Sequence, residues 1–258
     1  MSEAENRDLL ALFPAAGRAS RLPGSTGSKE VRSIHAETRT GAPRLACQDL
    51  LEAFADAAPT ALLVLTRRRK LDVPLRLAEL ALPYPVVTLL VGDTPSVVHT
   101  LDAAWPFTRG RRIALGFPDV LLEPQRVFIE LLERQARTGA AVVLGLFPAA
   151  EPERSDLVDL GPDGRVRRLA VKERIADLSF TWMTAVWTGE FTEYLHGSLR
   201  GPLSAFGDDL QVGHLLQSAL RSGMCVEGVA FPGGRVLDIG TPAALAAAPG
   251  WLAARRSD

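Results

Sequence analysis

The sequence contains few of the residues that build disulfide frameworks or zinc sites. Of its 258 residues only two are cysteines, Cys47 and Cys225, and they lie in separate apolar segments without C-x-x-C spacing. Such a pair predicts two reduced, buried thiols. The four histidines lack metal-ligand spacing and no serine stands in a Gly-x-Ser-x-Gly motif, so the sequence does not support a zinc site or a serine hydrolase.

An excess of positive charge and a long apolar run are also missing. The chain carries 29 Lys and Arg against 30 Asp and Glu, a net charge of −1, whereas proteins that bind nucleic acid or anionic membranes usually show a basic excess. No apolar run approaches the roughly 20 residues needed to cross a bilayer, and the polar residues 1–8 do not form a signal peptide. We therefore expect a cytoplasmic protein with neither nucleic acid nor a membrane as partner.

The apolar segments alternate with amphipathic ones over the first 150 residues, and the sequence has no internal repeat or linker. Runs rich in Val, Leu and Ile predict strands at 9–13, 61–65, 85–91, 113–117 and 140–147. Helical spacing predicts helices at 44–57, 96–105 and 124–138. This alternation predicts a mainly parallel sheet covered by helices on both faces. We expect one α/β domain spanning residues 1–258, with its core at about 9–248.

After residue 150 the pattern changes. Segments 156–160 and 165–171 predict a hairpin, because Asp163-Gly164 favours a tight turn between strands. Further strands are predicted at 182–187 and 224–231, and helices at 208–222 and 241–254, the last capped by Thr241. The charged segments 66–70 and 109–112 are predicted to be solvated loops.

Small residues follow the first strand directly. Ala15, Ala16 and Gly17, and then Ala19 and Ser20, let backbone N–H groups approach the oxygens of a phosphate closely. Arg21 and Lys29 follow and supply positive charge. This pattern predicts a nucleoside-triphosphate site, although an ordinary turn with two solvated cations would have the same local sequence.

Two acidic residues stand at positions where α/β sheets collect ligands. Asp119 follows an apolar strand, and Asp238 precedes the start of the last helix. Taken singly, each is also explained as a turn residue or a helix-flanking acid. Taken together, two converging carboxylates suit Mg²⁺ bound to substrate phosphates, because that ion keeps its waters and takes few protein ligands.

Several short motifs of this chain resemble, in the same order, those of the sugar nucleotidyltransferases. Positions 16–22 read AGRASRL and 28–30 read SKE, similar to the family's A-G-x-G-T-R-L-x-P followed by P-K-E. The segments GFPD at 116–119 and DIGTP at 238–242 are similar to its G-D and D-x-G-T-P. VKE at 171–173 stands in the place of E-K-P, and GDT at 92–94 loosely resembles the loop that lines the base. The resemblance covers residues 9 to about 248.

The resemblance implies a nucleotide-diphospho-sugar transferase fold, Rossmann-like and of glycosyltransferase-A type, a three-layer α/β/α arrangement with a mixed sheet. It implies Mg²⁺-dependent conversion of an NTP (dTTP or UTP favoured) and a sugar 1-phosphate to an NDP-sugar and pyrophosphate, in a possible homo-oligomer. The implied site residues are Arg21 for the pyrophosphate, Lys29 for the triphosphate, Lys172 for the acceptor phosphate, Asp119 and Asp238 for the metal, Ala15, Ala16, Gly17, Arg18, Ala19 and Ser20 for the phosphate loop, and Gly92 and Thr94 for the base.

The chain departs from the family pattern at four motif positions, Ala19, Ser28, Pro118 and Val171. Val171 replaces the glutamate that in the family contacts sugar hydroxyls. One alternative is therefore a cytidylyl- or guanylyltransferase that acts on a non-sugar phosphate. Another is a catalytically weak relative that binds nucleotides. The sequence does not support a dinucleotide-binding dehydrogenase, because neither a Gly-x-Gly-x-x-Gly motif nor a ribose-binding acid at the expected spacing follows the first strand.

Overall fold

The structure is a computed structural model that describes residues 8–17, 27–34, 44–173, 175 and 177–254. Its strands are β1 Leu9–Pro14, β2 Ser33–Ile34, β3 Arg44–Leu45, β4 Ala61–Thr66, β5 Val86–Leu90, β6 Arg112–Gly116, β7 Val120–Glu123, β8 Val142–Pro148, β9 Leu157–Leu160, β10 Val166–Ala170, β11 Phe180–Trp187, β12 Val226–Ala230 and β13 Arg235–Asp238. Its helices are α1 Gln48–Ala57, α2 Asp72–Ala78, α3 Val97–Asp102, α4 Trp105–Thr108, α5 Val127–Thr138, α6 Gly189–Ser198, α7 Val212–Arg221 and α8 Pro242–Ala253. No helix in these ranges is long and apolar enough to span a bilayer.

Within the described residues, nine strands form one mixed sheet. Strand β1 lies between β4 and β6 and is parallel to both, and β5 continues the sheet beyond β4. Strand β11 runs antiparallel to β6 and to β8, and β12 lies parallel to β8. The hairpin β9–β10 joins through the first residues of β11. The carboxyl ends of the parallel strands therefore share one edge of the sheet.

Both faces of the sheet are buried, as the continuous apolar strands predict. In β1 the side chains of Leu9, Ala11 and Phe13 belong to one apolar core, which includes residues of α1 and α5. The side chains of Leu10 and Leu12 belong to a second core on the other face, which includes residues of α3, α6 and α7. This arrangement confirms the expected three-layer α/β/α architecture, because a parallel strand buried on both sides needs helices on both sides.

A two-stranded ribbon crosses the carboxyl edge of the sheet and was missed by the sequence pattern. Strands β7 and β13 pair antiparallel, with Val120 opposite Asp238. Helix α8 packs on the ribbon through a third small apolar cluster, which includes Leu121, Ile239 and Leu252. The ribbon therefore brings residues 119 and 238, distant in sequence, side by side.

Three sequence predictions need correction. The helix predicted at 44–57 begins only at Gln48, because Arg44–Leu45 pairs with Ser33–Ile34 as β3. The helix predicted at 208–222 begins at Val212, since the preceding residues form a 3₁₀ segment, Pro202–Asp209, that is interrupted at Gly207, where φ is +50°. The loop predicted at 66–70 contains a 3₁₀ turn, Arg68–Lys70, with a buried lysine.

That lysine forms a buried ion pair. Lys70 is 6% exposed and its Nζ lies 2.5 Å from Oε1 of Glu30, which is 1% exposed. Burial raises the pKa of Glu30, and the nearby ammonium of Lys70 counteracts only part of this shift. The pair fastens the 3₁₀ turn Lys29–Val31 to the segment that follows β4.

We predict that Lys70→Met lowers the free energy of unfolding at pH 7 by about 3 kcal/mol, because it leaves a buried carboxylate without its counter-ion. The pKa of Glu30 then rises further, so the loss is small below its ordinary pKa of 4.5 and grows as the pH rises through the folded-state pKa. Urea unfolding at several pH values measures this. The double variant Glu30→Gln/Lys70→Met is the control and recovers much of the loss; an equal loss at every pH would contradict the prediction.

Candidate active site

Lys29 is held over the carboxyl edge of the sheet by its two neighbours in sequence. The backbone N–H and the hydroxyl of Ser28 donate hydrogen bonds to the Asp72 carboxylate, at 2.6 and 2.7 Å. On the other side, Glu30 is anchored by Lys70. The ammonium of Lys29 forms an ion pair with Oδ2 of Asp119. The fold thus fixes the position of this cation from both sides.

Asp119 and Asp238 converge beside Lys29. The N–H of Ile239 donates to the carbonyl of Asp119 at 2.9 Å, and the N–H of Gly240 donates to Oδ1 of Asp238 at 2.8 Å. A Cβ placed on Gly240 would lie 2.8 Å from Oδ1 of Asp238 and 3.8 Å from Oδ2 of Asp119. Both carboxylates therefore border the same small space, which only glycine leaves open.

The charges of this cluster keep Lys29 protonated. Burial alone would lower its pKa, but Asp119, by its charge and its hydrogen bond, and then Glu30 and Asp238 raise it, and the net pKa is above its ordinary value. The cation also moderates the repulsion between the two carboxylates. A lysine ammonium in this state can bind a phosphate oxygen, but it cannot act as a base at neutral pH.

The donor set at this point fits a divalent ion that is shared with a substrate. No group of three or more His, Cys, Asp or Glu side chains with metal-binding geometry occurs in the described ranges. Two carboxylates lining an open space match Mg²⁺, which takes one or two protein carboxylates and completes its shell with water and phosphate oxygens. Asp119 and Asp238 are the residues that would hold it.

The phosphate-loop residues are described only in part. Ala15 and Ala16 are buried, and the N–H of Ala15 donates to the carbonyl of Leu65 at 2.8 Å, so that N–H is used within the sheet. Gly17 is exposed, and nothing lies within 4 Å of a Cβ built on it. The structure therefore places an open backbone position at the end of β1. The other predicted residues, Arg18, Ala19, Ser20 and Arg21, lie outside the described residues.

Gly92 and Thr94 follow β5, at the other end of the same edge. Gly92 is exposed with free space around its Cα, and the hydroxyl of Thr94 lies 2.6 Å from that of Thr100. The cap of α3 is Ser96, whose side chain accepts the His99 N–H. The Thr94 hydroxyl pairs with Thr100, whose own hydroxyl donates to the carbonyl of Ser96 at 3.2 Å.

Lys172 lies after β10, on the opposite flank from Gly92. Its φ is +49°, an uncommon conformation for a residue with a side chain, and its side chain is exposed. Backbone strain of this kind is concentrated at functional sites, where surrounding structure maintains it. Burial raises the pKa of the nearby Asp156 carboxyl group, and the positive charge of Lys172 opposes part of this shift.

Sequence reasoning missed Asp156 and the residues around it. The indole N–H of Trp182 donates to Oδ2 of Asp156 at 3.3 Å, and the Trp182 ring contacts Phe117 with 5.7 Å between ring centroids. Phe117 stands two residues before Asp119. The contacts of Trp182 therefore connect Asp156 to the segment that carries Asp119. Asp156 belongs to no motif, and only its position before the hairpin could have suggested a role.

The acidic turn at 207–210 does not cap helix α7. The capping residue is Gln211, whose side chain accepts the backbone N–H of His214, while the His214 ring accepts the N–H of Gln211. His214 also stacks on Phe206, at 4.3 Å between centroids. Trp187 is buried in the core and donates its indole N–H to the hydroxyl of Thr192.

No protein-family model matches the sequence, and no curated protein matches it. Solved structures do match. A proposed glucose-1-phosphate thymidylyltransferase from Bacillus anthracis, in complex with sucrose, aligns over 97% of each chain with a TM-score of 0.79 and 14% identity. The protein has a sugar-nucleotidyltransferase fold. This confirms the fold expected from the motifs.

Two further structures of the same kind match. A UDP-glucose pyrophosphorylase from Acinetobacter baumannii covers 93% of this chain and 91% of its own, with a TM-score of 0.75 and 14% identity. An inositol-1-phosphate CTP transferase from T. maritima covers 91% of this chain and 90% of its own, with a TM-score of 0.71 and 17% identity. At these identities the likeness concerns the fold, and the site must be argued from this chain's own residues.

Proposed function

We propose that the protein is a Mg²⁺-dependent nucleotidyltransferase that converts an NTP and a sugar 1-phosphate to an NDP-sugar and pyrophosphate. The observation that carries this proposal is the cluster of Lys29, Asp119 and Asp238 around the open space at Gly240. It lies at the carboxyl edge of a sheet with the nucleotidyltransferase fold, where such folds bind ligands.

The chemistry needs no side-chain nucleophile. An oxygen of the acceptor phosphate attacks the α-phosphorus of the NTP in line, and the bond to the bridging oxygen of pyrophosphate breaks, so catalysis consists of positioning and charge neutralisation. Lys29 binds the triphosphate and the charge that develops on it, Arg21 the departing pyrophosphate and Lys172 the attacking phosphate. Mg²⁺ held by Asp119 and Asp238 would neutralise phosphate charge and orient the phosphates.

The favoured nucleotides are dTTP and UTP. Support comes from the similar structures, one of which is a UTP-bound UGPase from Acinetobacter baumannii, with a TM-score of 0.73 and 15% identity over 94% of this chain and 92% of its own. A second candidate is cytidylyl transfer to a non-sugar phosphate. Two observations favour it: the apolar Val171 where the family has glutamate, and the likeness to the inositol-1-phosphate CTP transferase.

A product assay tests the proposal and separates the two candidates. Purified protein is incubated with Mg²⁺, each common NTP and a panel of sugar 1-phosphates, inositol 1-phosphate and phosphocholine, and products are identified by mass spectrometry. We expect an NDP-sugar together with pyrophosphate, above the level given by Asp119→Ala. A CDP-linked product from a non-sugar acceptor would support the second candidate, and no product above the Asp119→Ala level would contradict both.

Asp119→Asn and Asp238→Asn are each predicted to lower the turnover number on the order of 100-fold, because either change leaves the triphosphate charge poorly compensated. Steady-state rates over a Mg²⁺ titration measure the effect. The control is Asp56→Asn, the same change on the exposed side of α1. A near-normal rate for either variant at saturating Mg²⁺ would show that its carboxylate does not hold the metal.

Lys29→Ala is predicted to reduce the rate far more than it reduces stability. Lys29 is partly buried and paired with Asp119, so its loss lowers the free energy of unfolding by about 2 kcal/mol, whereas loss of a cation at a transferring phosphoryl group lowers the rate on the order of 1,000-fold, about 4 kcal/mol, or more. Urea unfolding and initial rates measure the two effects, with Arg69→Ala as the exposed-cation control. Comparable damage to rate and to stability would identify Lys29 as a structural residue.

Lys172→Ala is predicted to raise the KM for the acceptor and to leave NTP affinity nearly intact, because its cation binds only the acceptor phosphate. Calorimetric titrations with NTP and with acceptor, done separately, measure this. Arg168→Ala, an exposed cation on β10, is the control. Weakened NTP binding with unchanged acceptor binding would place Lys172 on the nucleotide side of the site.

A further inference from the structure

Asp156 has a carboxylate oxygen without a hydrogen-bond partner. Its Oδ2 accepts the Trp182 indole N–H at 3.3 Å, whereas its Oδ1 is buried and no donor in the described ranges reaches it with good hydrogen-bond geometry. The backbone N–H of Lys172 approaches the carboxylate and forms at most a poorly directed hydrogen bond with it. Burial accordingly raises the pKa of this group, against the effects of Trp182, Lys172 and His214, which lower it. A buried carboxylate oxygen left unpaired is costly and needs an explanation.

The position of Asp156 places it at the acceptor flank of the site. It directly precedes β9, whose first residue, Leu157, pairs with Thr181 at the start of β11. Its carboxylate is linked through Trp182 to Phe117, in the segment that carries Asp119. The proposed phosphate-binding Lys172 interacts electrostatically with it from the end of β10. Asp156 is thus linked through Trp182 to the segment that carries Asp119, and electrostatically to Lys172, the proposed acceptor lysine.

The absence of a side chain at Gly213 leaves the space that the Asp156 carboxylate occupies. A Cβ on Gly213, in the first turn of α7, would lie 2.3 Å from Oδ2 of Asp156 and 3.0 Å from Cγ2 of Val171. The carboxylate and the Val171 side chain therefore lie against the same glycine. Position 171, which carries glutamate in the family that this chain resembles, is valine here. Asp156, just before β9, places a carboxylate against the same glycine.

We propose that Asp156 determines acceptor specificity by accepting a hydrogen bond from a hydroxyl group of the acceptor, which makes the acceptor a phosphate ester of a sugar or other polyol. This inference rests on the proposed nucleotidyl transfer and concerns the same site. A neutral hydroxyl fits better than a cationic group such as choline. Lys172 already supplies a positive charge next to this carboxylate, so what Oδ1 lacks is a hydrogen-bond donor.

Calorimetry with the acceptor tests the assignment without requiring turnover. Glucose 1-phosphate, inositol 1-phosphate, a set of their monodeoxy analogues and phosphocholine are titrated into wild type, Asp156→Asn and the matched control Asp159→Asn, each with and without a non-hydrolysable UTP analogue. We expect Asp156→Asn to weaken binding of one polyol phosphate by about tenfold or more. The analogue that lacks the recognised hydroxyl should bind wild type and Asp156→Asn equally, which a merely structural role of Asp156 would not produce.

A second variant keeps the test decisive if Asp156→Asn does not fold. In Asp156→Ala/Val171→Glu the carboxylate moves to the adjacent strand, against the same Gly213, and we expect it to bind the polyol phosphate more tightly than Asp156→Ala alone. Equal affinity of wild type and Asp156→Asn for every acceptor, no binding of any polyol phosphate to wild type, or Asp156-dependent binding of phosphocholine would overturn the assignment. Normal acceptor binding without UTP-analogue binding or product would instead refute the proposed transferase reaction and leave the acceptor assignment standing.

Discussion

The ion pair between Lys29 and Asp119 is the contact on which the arrangement of the site depends. It joins the segment after β1 to the loop between β6 and β7, and the ribbon register then brings Asp238 beside them. Two carboxylates this close repel each other, and the nearby ammonium reduces that repulsion. In the proposed function, a divalent ion would pair with the carboxylates and a triphosphate with the ammonium. One ammonium offsets only one of the two carboxylates, so the cluster keeps a net negative charge that a bound cation would offset.

The rest of the fold holds this ion pair in place. The buried pair Glu30–Lys70 and the Ser28–Asp72 hydrogen bonds fix the turn that carries Lys29, while the β7–β13 ribbon and α8 fix the acids. The proposed phosphoryl transfer depends mainly on charges that are held in position before the substrates bind, so rigid support would matter more to it than a reactive side chain. The acceptor flank is built separately, from the hairpin β9–β10 and the first turn of α7.

Much of this could be predicted from the sequence, because apolar runs and motif order are local signals. The parallel strands, the hairpin at Asp163-Gly164 and the three-layer fold were expected and are confirmed. The ribbon β7–β13 was not expected, because strands of four residues are too short to show a recognisable alternation of apolar and polar residues. Lys70 was misread as solvated, because a run of charges reveals nothing of a buried partner 40 residues away. Asp156 belongs to no motif, and only tertiary structure shows its unpaired oxygen.

An isotope-labelling experiment tests the central claim most directly. Sugar 1-phosphate carrying ¹⁸O in its non-bridging phosphate oxygens is incubated with the protein, Mg²⁺ and UTP or dTTP, and the products are weighed by mass spectrometry. The account predicts an NDP-sugar that retains all of the label and pyrophosphate that contains none, because the acceptor oxygen attacks the α-phosphorus. Labelled pyrophosphate, or a nucleoside monophosphate formed with oxygen from water, would contradict it.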